Sequence, residues 1–290
     1  MKSRILTPIA LAIVMTIATS SARAQTNDPD QFVTIDVPGA ASTSSAAADV
    51  RLKANPRGQV VGGYLDSFGT THGFLLSNGN FSTIDFPGAI FTTLSDISPS
   101  GDVVGIYEDS YGVAHGFLLS QGNLSKIDVP GAIATGPLGI SPDGKVGGFF
   151  TDGSGHSHGF VFSAGTFTPI DFPGSYFTSV QAINAGQIIG VEWSGGRFHG
   201  YLLMNGKFTQ IDFPGSIFTA PVGINPEGVI VGEYFTADGI SHGFKLAAGQ
   251  FTTVDVPGAI FNFASGITPQ GEIVGKYETP DGKFHGYDFK

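Results

Sequence analysis

The chain contains no cysteine, so no disulfide can brace it and its stability must come from packing. Charge is scarce as well. Charged residues make up 13% of the chain, about half the ~25% usual in soluble domains. There is one tryptophan. The only long apolar run, Ile5 to Ile17, is interrupted by Thr7, Pro8 and Thr16. It falls short of the ~18 apolar residues a spanning helix needs. These absences exclude a disulfide scaffold, a coiled coil, a helix bundle and a charge-rich disordered chain. What is abundant is turn-forming residue: 43 glycines and 17 prolines in 290 positions, with 25 phenylalanines and an apolar fraction of 41% for a core.

Residues 1–24 read as an export signal. Lys2 and Arg4 precede the apolar run, and small residues lead to Ala22-Arg23-Ala24 before Gln25. That is a basic start, a short hydrophobic stretch and an A-x-A cleavage site. Residues 25–31 then form a short segment before the first strand. Cleavage would leave 11 basic against 24 acidic side chains, net −13. A surface of that sign repels phosphate backbones, so nucleic acid is not an expected partner. The expected location is the periplasm or the medium, with no membrane span after cleavage.

The dominant feature is repetition. Ile/Val-Asp-Val/Phe-Pro-Gly-Ala/Ser occurs six times, with its carboxylates at Asp36, Asp85, Asp128, Asp171, Asp212 and Asp255. His-Gly-Phe/Tyr also occurs six times, at His72, His115, His158, His199, His242 and His285. The His spacings are 43, 43, 41, 43 and 43. Each unit divides into four strand-length pieces, bounded by Gly, Pro and Asn. In the second unit these are 92–97, 102–107, 115–119 and 124–128. Turns such as Ser98-Pro99-Ser100-Gly101 use Pro to preset φ and Gly to accept positive φ.

Six four-stranded units of this length predict an all-β, six-bladed β-propeller spanning 32–290. An open solenoid or two stacked sheets is the alternative. The chain starts on a fourth-type strand, 32–36, and ends on a third-type strand, 285–289. These two are expected to pair antiparallel and close the ring, removing open sheet edges.

The unit Gly-Ile-Asn-Pro-x-Gly-x-Ile-Val-Gly-x-Tyr, followed by His-Gly-Phe-Leu, resembles the HAF family of bacterial extracellular repeats. The resemblance spans 32–290. Here Gly replaces the Ala of His-Ala-Phe in all six copies, which suggests a closer backbone approach at that strand. The resemblance implies an extracellular repeat protein and brings no catalytic residues.

Six Asp and six His could suggest metal ligands. Residues that occur once per blade are spread round a ring, so the structural reading is preferred: Asp accepting backbone N–H groups, His bridging strands. Function is sought where symmetry breaks. The first unit has a crossing segment, 41–48, six residues longer than its counterparts, leading into Asp49, Arg51 and Lys53. The third unit carries the extra His156, which with Asp152 and His158 could form a metal pair on one strand face. The fourth is two residues shorter and holds Glu192, Trp193 and Arg197. Tyr176 lies on a crossing loop where aromatics could stack on sugars. Candidate ligand contacts are therefore Asp49, Arg51, Tyr176, Glu192, Trp193 and Arg197. Propeller ligands usually gather on the face of the crossing loops, near the channel mouth.

No nucleophile elbow, zinc-protease, Walker or calcium-loop spacing occurs, and no cofactor is predicted. The preferred reading is a secreted, monomeric propeller that binds an extracellular ligand, glycan or protein. The alternative is a propeller hydrolase or lyase acting on a glycan, lactone or phosphoester, with a site built from Asp49, Arg51, Glu192, Arg197 and His156. A structural spacer is the third. Convergence of those irregular polar groups in one pocket would favour the enzyme.

Overall fold

The structure, a computed structural model, describes residues 32–44 and 51–289. The export signal, residues 25–31, Asp49 and the second half of the long crossing segment, 45–48, lie outside the described residues. Blades 2 to 5 are continuous four-stranded antiparallel meanders. Blade 2, for example, runs Phe91–Ile97, Val103–Glu108, Ala114–Ser120, Asn123–Ile127 from the axis outward. Blade 1 differs at its innermost strand. Two short pieces, Ser42–Thr43 and Lys53–Ala54, both pair with Val60–Leu65. The long first segment thus interrupts the strand nearest the axis.

Blade 6 is completed by the start of the chain. Phe32–Ile35 pairs antiparallel with Phe284–Phe289, in the register Phe32↔Phe289 to Ile35↔Gly286. The ring closes as the phase of the repeat predicts.

The aromatic of each His-Gly-Phe/Tyr is the centre of its blade. Phe74, Phe117, Phe160, Tyr201, Phe244 and Tyr287 are all fully buried, each contributing about 1.5–3 kcal/mol of transfer free energy. Two glycine columns make this packing possible. In the His-Gly column, a Cβ on Gly116 would lie 2.5 Å from Pro137 of the next blade and from the Ile127 carbonyl. This is the close approach expected there. In the Val-Val-Gly column, a Cβ on Gly105 would lie 2.4 Å from the Thr93 carbonyl and 2.5 Å from the Phe117 ring, both within its own blade. That glycine lets the aromatic cross over the neighbouring strand.

Strand direction assigns the two faces. The crossing loops between blades and the loops before each His-Gly share one face. The Asn/Ser-Pro-x-Gly turns share the other, closed by bonds such as Gly101 N–H to the Ser98 carbonyl at 3.0 Å.

Candidate functional site

The repeated His and Asp are tied to each other. In all six blades the His Nδ1 lies 2.6–3.0 Å from the Asp at the end of the adjacent outer strand. The final pair, His285 and Asp36, bridges the two ends of the chain. In blades 1, 2 and 3 a second carboxylate, Asp66, Asp109 or Asp152, approaches Nε2 at 3.4–3.5 Å. In five blades the His ring also stacks on an aromatic of the second strand, such as Tyr64 on His72 at 5.3 Å. Burial would lower the His72 and His158 pKa values. Bonds to Asp85 and Asp66, and to Asp171 and Asp152, outweigh it and raise them.

The candidate metal residues have other partners. Asp152 accepts from the Ser154 hydroxyl at 2.7 Å and from the backbone N–H groups of Ser154 and His156 at 2.8 and 3.0 Å, capping its loop; the hydroxyl bond first, then the backbone bonds, hold its pKa down. Asp66 and Asp109 cap the equivalent loops in the same way. His156 is exposed, with Nδ1 3.1 Å from Ser154 Oγ and its ring edge-on to Tyr176 at 4.5 Å. His158 holds Asp171, as in the other blades. Among the described residues, no three His, Cys, Asp or Glu side chains are grouped to hold a metal ion.

Of the candidate ligand residues, Glu192, Trp193 and Arg197 share one hairpin of blade 4, beside the crossing loop that carries Tyr176, while Arg51 lies apart. Glu192 is fully buried and occupies the position of the stacking aromatic. Its Oε1 accepts from Gln210 at 3.0 Å and from Ser194 at 2.9 Å. Blades 1, 5 and 6 have a Tyr–Thr hydroxyl pair here instead: Tyr64–Thr83, Tyr234–Thr253 and Tyr277–Thr34. Glu192 with Gln210 is thus a local exchange of one cross-strand pair for another. Arg197 donates to the Ser216 carbonyl at 2.6 Å and reaches Asp212 at 3.4 Å. Trp193 packs edge-on to Phe198 at 4.7 Å.

Arg51 sits on the axis. Its Nη1 donates to Gln181 Oε1 of blade 4, the blade directly opposite in a six-membered ring. Lys53, two residues on, donates from Nζ to the Val222 carbonyl of blade 5 at 2.5 Å. Both cations are buried, so the channel is plugged by the two basic residues of the interrupted strand. Nearby, Glu233 and Lys276 occupy a second-strand column that is otherwise Gly63, Ile106, Phe149 and Val191. Burial pushes the Glu233 carboxyl up, opposed by Lys276 and Arg51. The Lys276 ammonium lies 5.3 Å from the Phe263 ring centre.

On the turn-face side of the plug lies a cavity of about 90 Å³ to which all six blades contribute. Pro56, Pro99, Pro142, Pro226 and Pro269 form its rim. Its charged lining residues are Lys53 and Asp96. Asp96 accepts N–H bonds from Ile97 and Ile140, both at 2.9 Å. These two stand in one column with Gly139, Ala182, Gly223 and Gly266. Aligning the repeats column by column exposes Asp96, Glu233 and Lys276 as exceptions; scanning for irregular loops does not.

The opposite face is different in character. Among the described residues, ten of the twelve exposed large apolar side chains lie on or beside its loops. Ile90, Ile133, Tyr176, Ile217 and Ile260 repeat at one crossing-loop position, each about half exposed. Phe68 and Tyr111 project from the loops before His-Gly at 92% and 89% exposure.

No protein family matches the chain at the level of sequence profiles, and no curated protein matches it by sequence. Solved structures do match in fold. Putative TolB from Agrobacterium tumefaciens aligns with TM-score 0.58 at 14% identity, over 84% of this chain and 91% of that one. TolB from Acinetobacter baumannii aligns with TM-score 0.56 at 14% identity over 83% of this chain, which spans 63% of the Acinetobacter protein. An Aleuria aurantia lectin variant, solved with alpha-methyl-L-fucoside, aligns with TM-score 0.54 at 10% identity, over 85% of this chain and 93% of the lectin. At these identities the likeness is one of fold.

Proposed function

We propose that this is an exported binding protein that engages a protein partner through the crossing-loop face. The observation that carries the reading is the apolar ring of Ile90, Ile133, Tyr176, Ile217 and Ile260, repeated round that face. An exposed apolar side chain is ordinary when alone. A set of them gathered on one face, with Phe68 and Tyr111 beside it, is the composition of an interaction surface.

A glycan is the less suitable occupant. Sugars pack against flat aromatic faces, whereas four of the five crossing positions are isoleucine. The lectin likeness supports a binding propeller and says nothing of which face is used. Among the described irregular polar residues, Arg51 and Glu192 are buried and Arg197 is held by Asp212 and Ser216, so these three do not compete for a ligand on this face. The signal-like N-terminus and the HAF-like repeat support export and an extracellular role.

Site-specific photocrosslinking in the producing bacterium tests this. A benzoylphenylalanine at position 68 or 111 should capture one discrete protein partner. The same probe at Leu124, on an outer strand, should not. Equal capture at all three positions, or capture at Leu124 alone, would overturn the assignment.

A further inference from the structure

We propose that the partner seated on the crossing-loop face is a basic protein segment, with apolar side chains at its tip and lysine or arginine around them. The occupant's chemistry deepens the partner-binding reading of that face and rests on it.

The protein's negative charge is gathered there. Among the described residues, thirteen carboxylates stand on this face: the six repeated Asp, one Asp in each loop before His-Gly except that of blade 4, and Glu108 and Glu278 at the ends of second strands. Asp238 and Asp281 are exposed, and the Asp36 and Asp171 side chains are about half exposed. The basic residues are Arg197, Lys283 and, at the outer rim, Lys126. Arg197 is already held by Asp212. Protonation of all seven histidines would still leave carboxylates in excess. The turn face is close to neutral, with four carboxylates against Arg57, Lys145 and Lys207.

Strand order sets the apolar and acidic residues concentrically. Ile90, Ile133, Ile217 and Ile260 each directly precede an innermost strand, so they lie round the axis. The repeated Asp directly follow the outermost strands and lie at the rim. In blades 2 and 6 the two kinds stand side by side. Ile90 N–H donates to the Glu108 carbonyl at 3.0 Å, and Ile260 N–H to the Glu278 carbonyl at 2.9 Å. These two blades flank blade 1, which carries the exposed Phe68. An apolar centre within a charged rim is the layout of a protein interface.

The charge selects the occupant. A second copy of this face would bring carboxylate against carboxylate. An anionic lipid surface or an acidic polysaccharide would be repelled in the same way. A basic segment gains twice: its cations meet the rim, and its apolar tip meets the isoleucines. Salt screens the rim contacts and leaves the apolar centre in place.

Fluorescence anisotropy on the purified chain tests this with four labelled peptides of equal length. Three carry an isoleucine centre flanked by lysine, serine or glutamate. The fourth has a serine centre flanked by lysine. The lysine-flanked isoleucine peptide should bind. The serine-flanked and serine-centred peptides should bind about tenfold or more weakly, and the glutamate-flanked peptide should not bind. Raising salt from ~0.05 M to ~0.5 M should weaken the lysine-flanked isoleucine peptide about tenfold and leave the serine-flanked one within about twofold. Glu108→Gln with Glu278→Gln should weaken the lysine-flanked isoleucine peptide about threefold or more, whereas Glu272→Gln on the turn face should not. Vesicles of phosphatidylglycerol should not bind. Vesicle binding, or no binding of the lysine-flanked isoleucine peptide at ~1 mM, would overturn the proposal. Equal binding of the lysine- and glutamate-flanked peptides, abolished by Phe68→Ser with Tyr111→Ser, would overturn the basic partner and leave the binding face standing. Failure of discrete crosslinking at positions 68 and 111 would remove the face itself.

Discussion

Asp36 and His285 stand 249 positions apart and meet at 3.0 Å. Between them lies nearly the whole ring, so this contact and the strand pair beside it decide whether the propeller is closed. The other five His–Asp pairs are local, each spanning 13 residues. Only the closure pair joins distant parts of the chain.

Closure should be the most sensitive point for stability. Phe32 stacks on Phe289 at 4.7 Å and meets Tyr287 edge-on at 5.3 Å. Phe32→Ala should cost about 2 kcal/mol, less than a fully buried Phe because Phe32 is partly exposed. Removing residues up to 36 should do more, since it leaves blade 6 with an open edge. Urea unfolding followed by near-UV circular dichroism measures both. Equal stability of the truncated and intact chains would contradict closure by this strand.

Stability should fall on the alkaline side of neutrality. His72 and His158 have raised pKa values in the folded state, through bonds to Asp85 and Asp66 and to Asp171 and Asp152. A raised histidine pKa stabilises fully below the unfolded value of ~6.5. That contribution is lost as pH rises through the higher folded value. Asp66 and Asp152 act at the acid end. Their lowered pKa values stabilise above ~3.8 and the contribution disappears as pH falls through the folded values. Urea midpoints should drop between pH 6 and pH 8, to the extent of about the salt-sensitive, half-exposed interactions involved. His72→Gln with His158→Gln should flatten that limb. An unchanged slope in the double variant would show that other groups set it.

Glu192 and Gln210 should behave as one unit. Gln210→Ala leaves Glu192 Oε1 with Ser194 alone, while Oε2 already has no hydrogen-bond partner. The expected loss is about 1–3 kcal/mol, the cost of a poorly satisfied buried polar group. Glu192→Tyr with Gln210→Thr installs the hydroxyl pair of blades 1, 5 and 6 and should recover most of it. A double-mutant cycle by chemical denaturation reads the coupling. Strictly additive effects would refute the pairing.

The architecture was legible because each blade repeats the same local chemistry. Six His-Gly-Phe/Tyr units at a nearly constant interval, with Pro and Gly at the turns, determine strand number, strand direction and ring closure. The face that carries the apolar ring also follows from strand order. Other features depend on which side chains the ring brings together. Arg51 is marked in the sequence as an irregular charge, but its crossing to Gln181 spans 130 positions and has no local signature. Asp96 looks like an ordinary polar residue in a strand until it is set in one column with Lys53 and four small residues. Glu192 stands out as a broken pattern, and only its contact with Gln210 explains the break as an exchange of partners.

The proposed binding surface is the crossing-loop face. The most direct measurement compares wild type with the variant Ile90→Ser/Ile133→Ser/Ile217→Ser/Ile260→Ser, using the crosslinked partner in a pull-down at equal concentration. These side chains are about half exposed, so the variant should keep its fold and its cooperative unfolding. It should lose partner capture by about tenfold or more, as expected when central apolar contacts are removed. A folded variant that captures the partner as well as the wild type does would contradict the account.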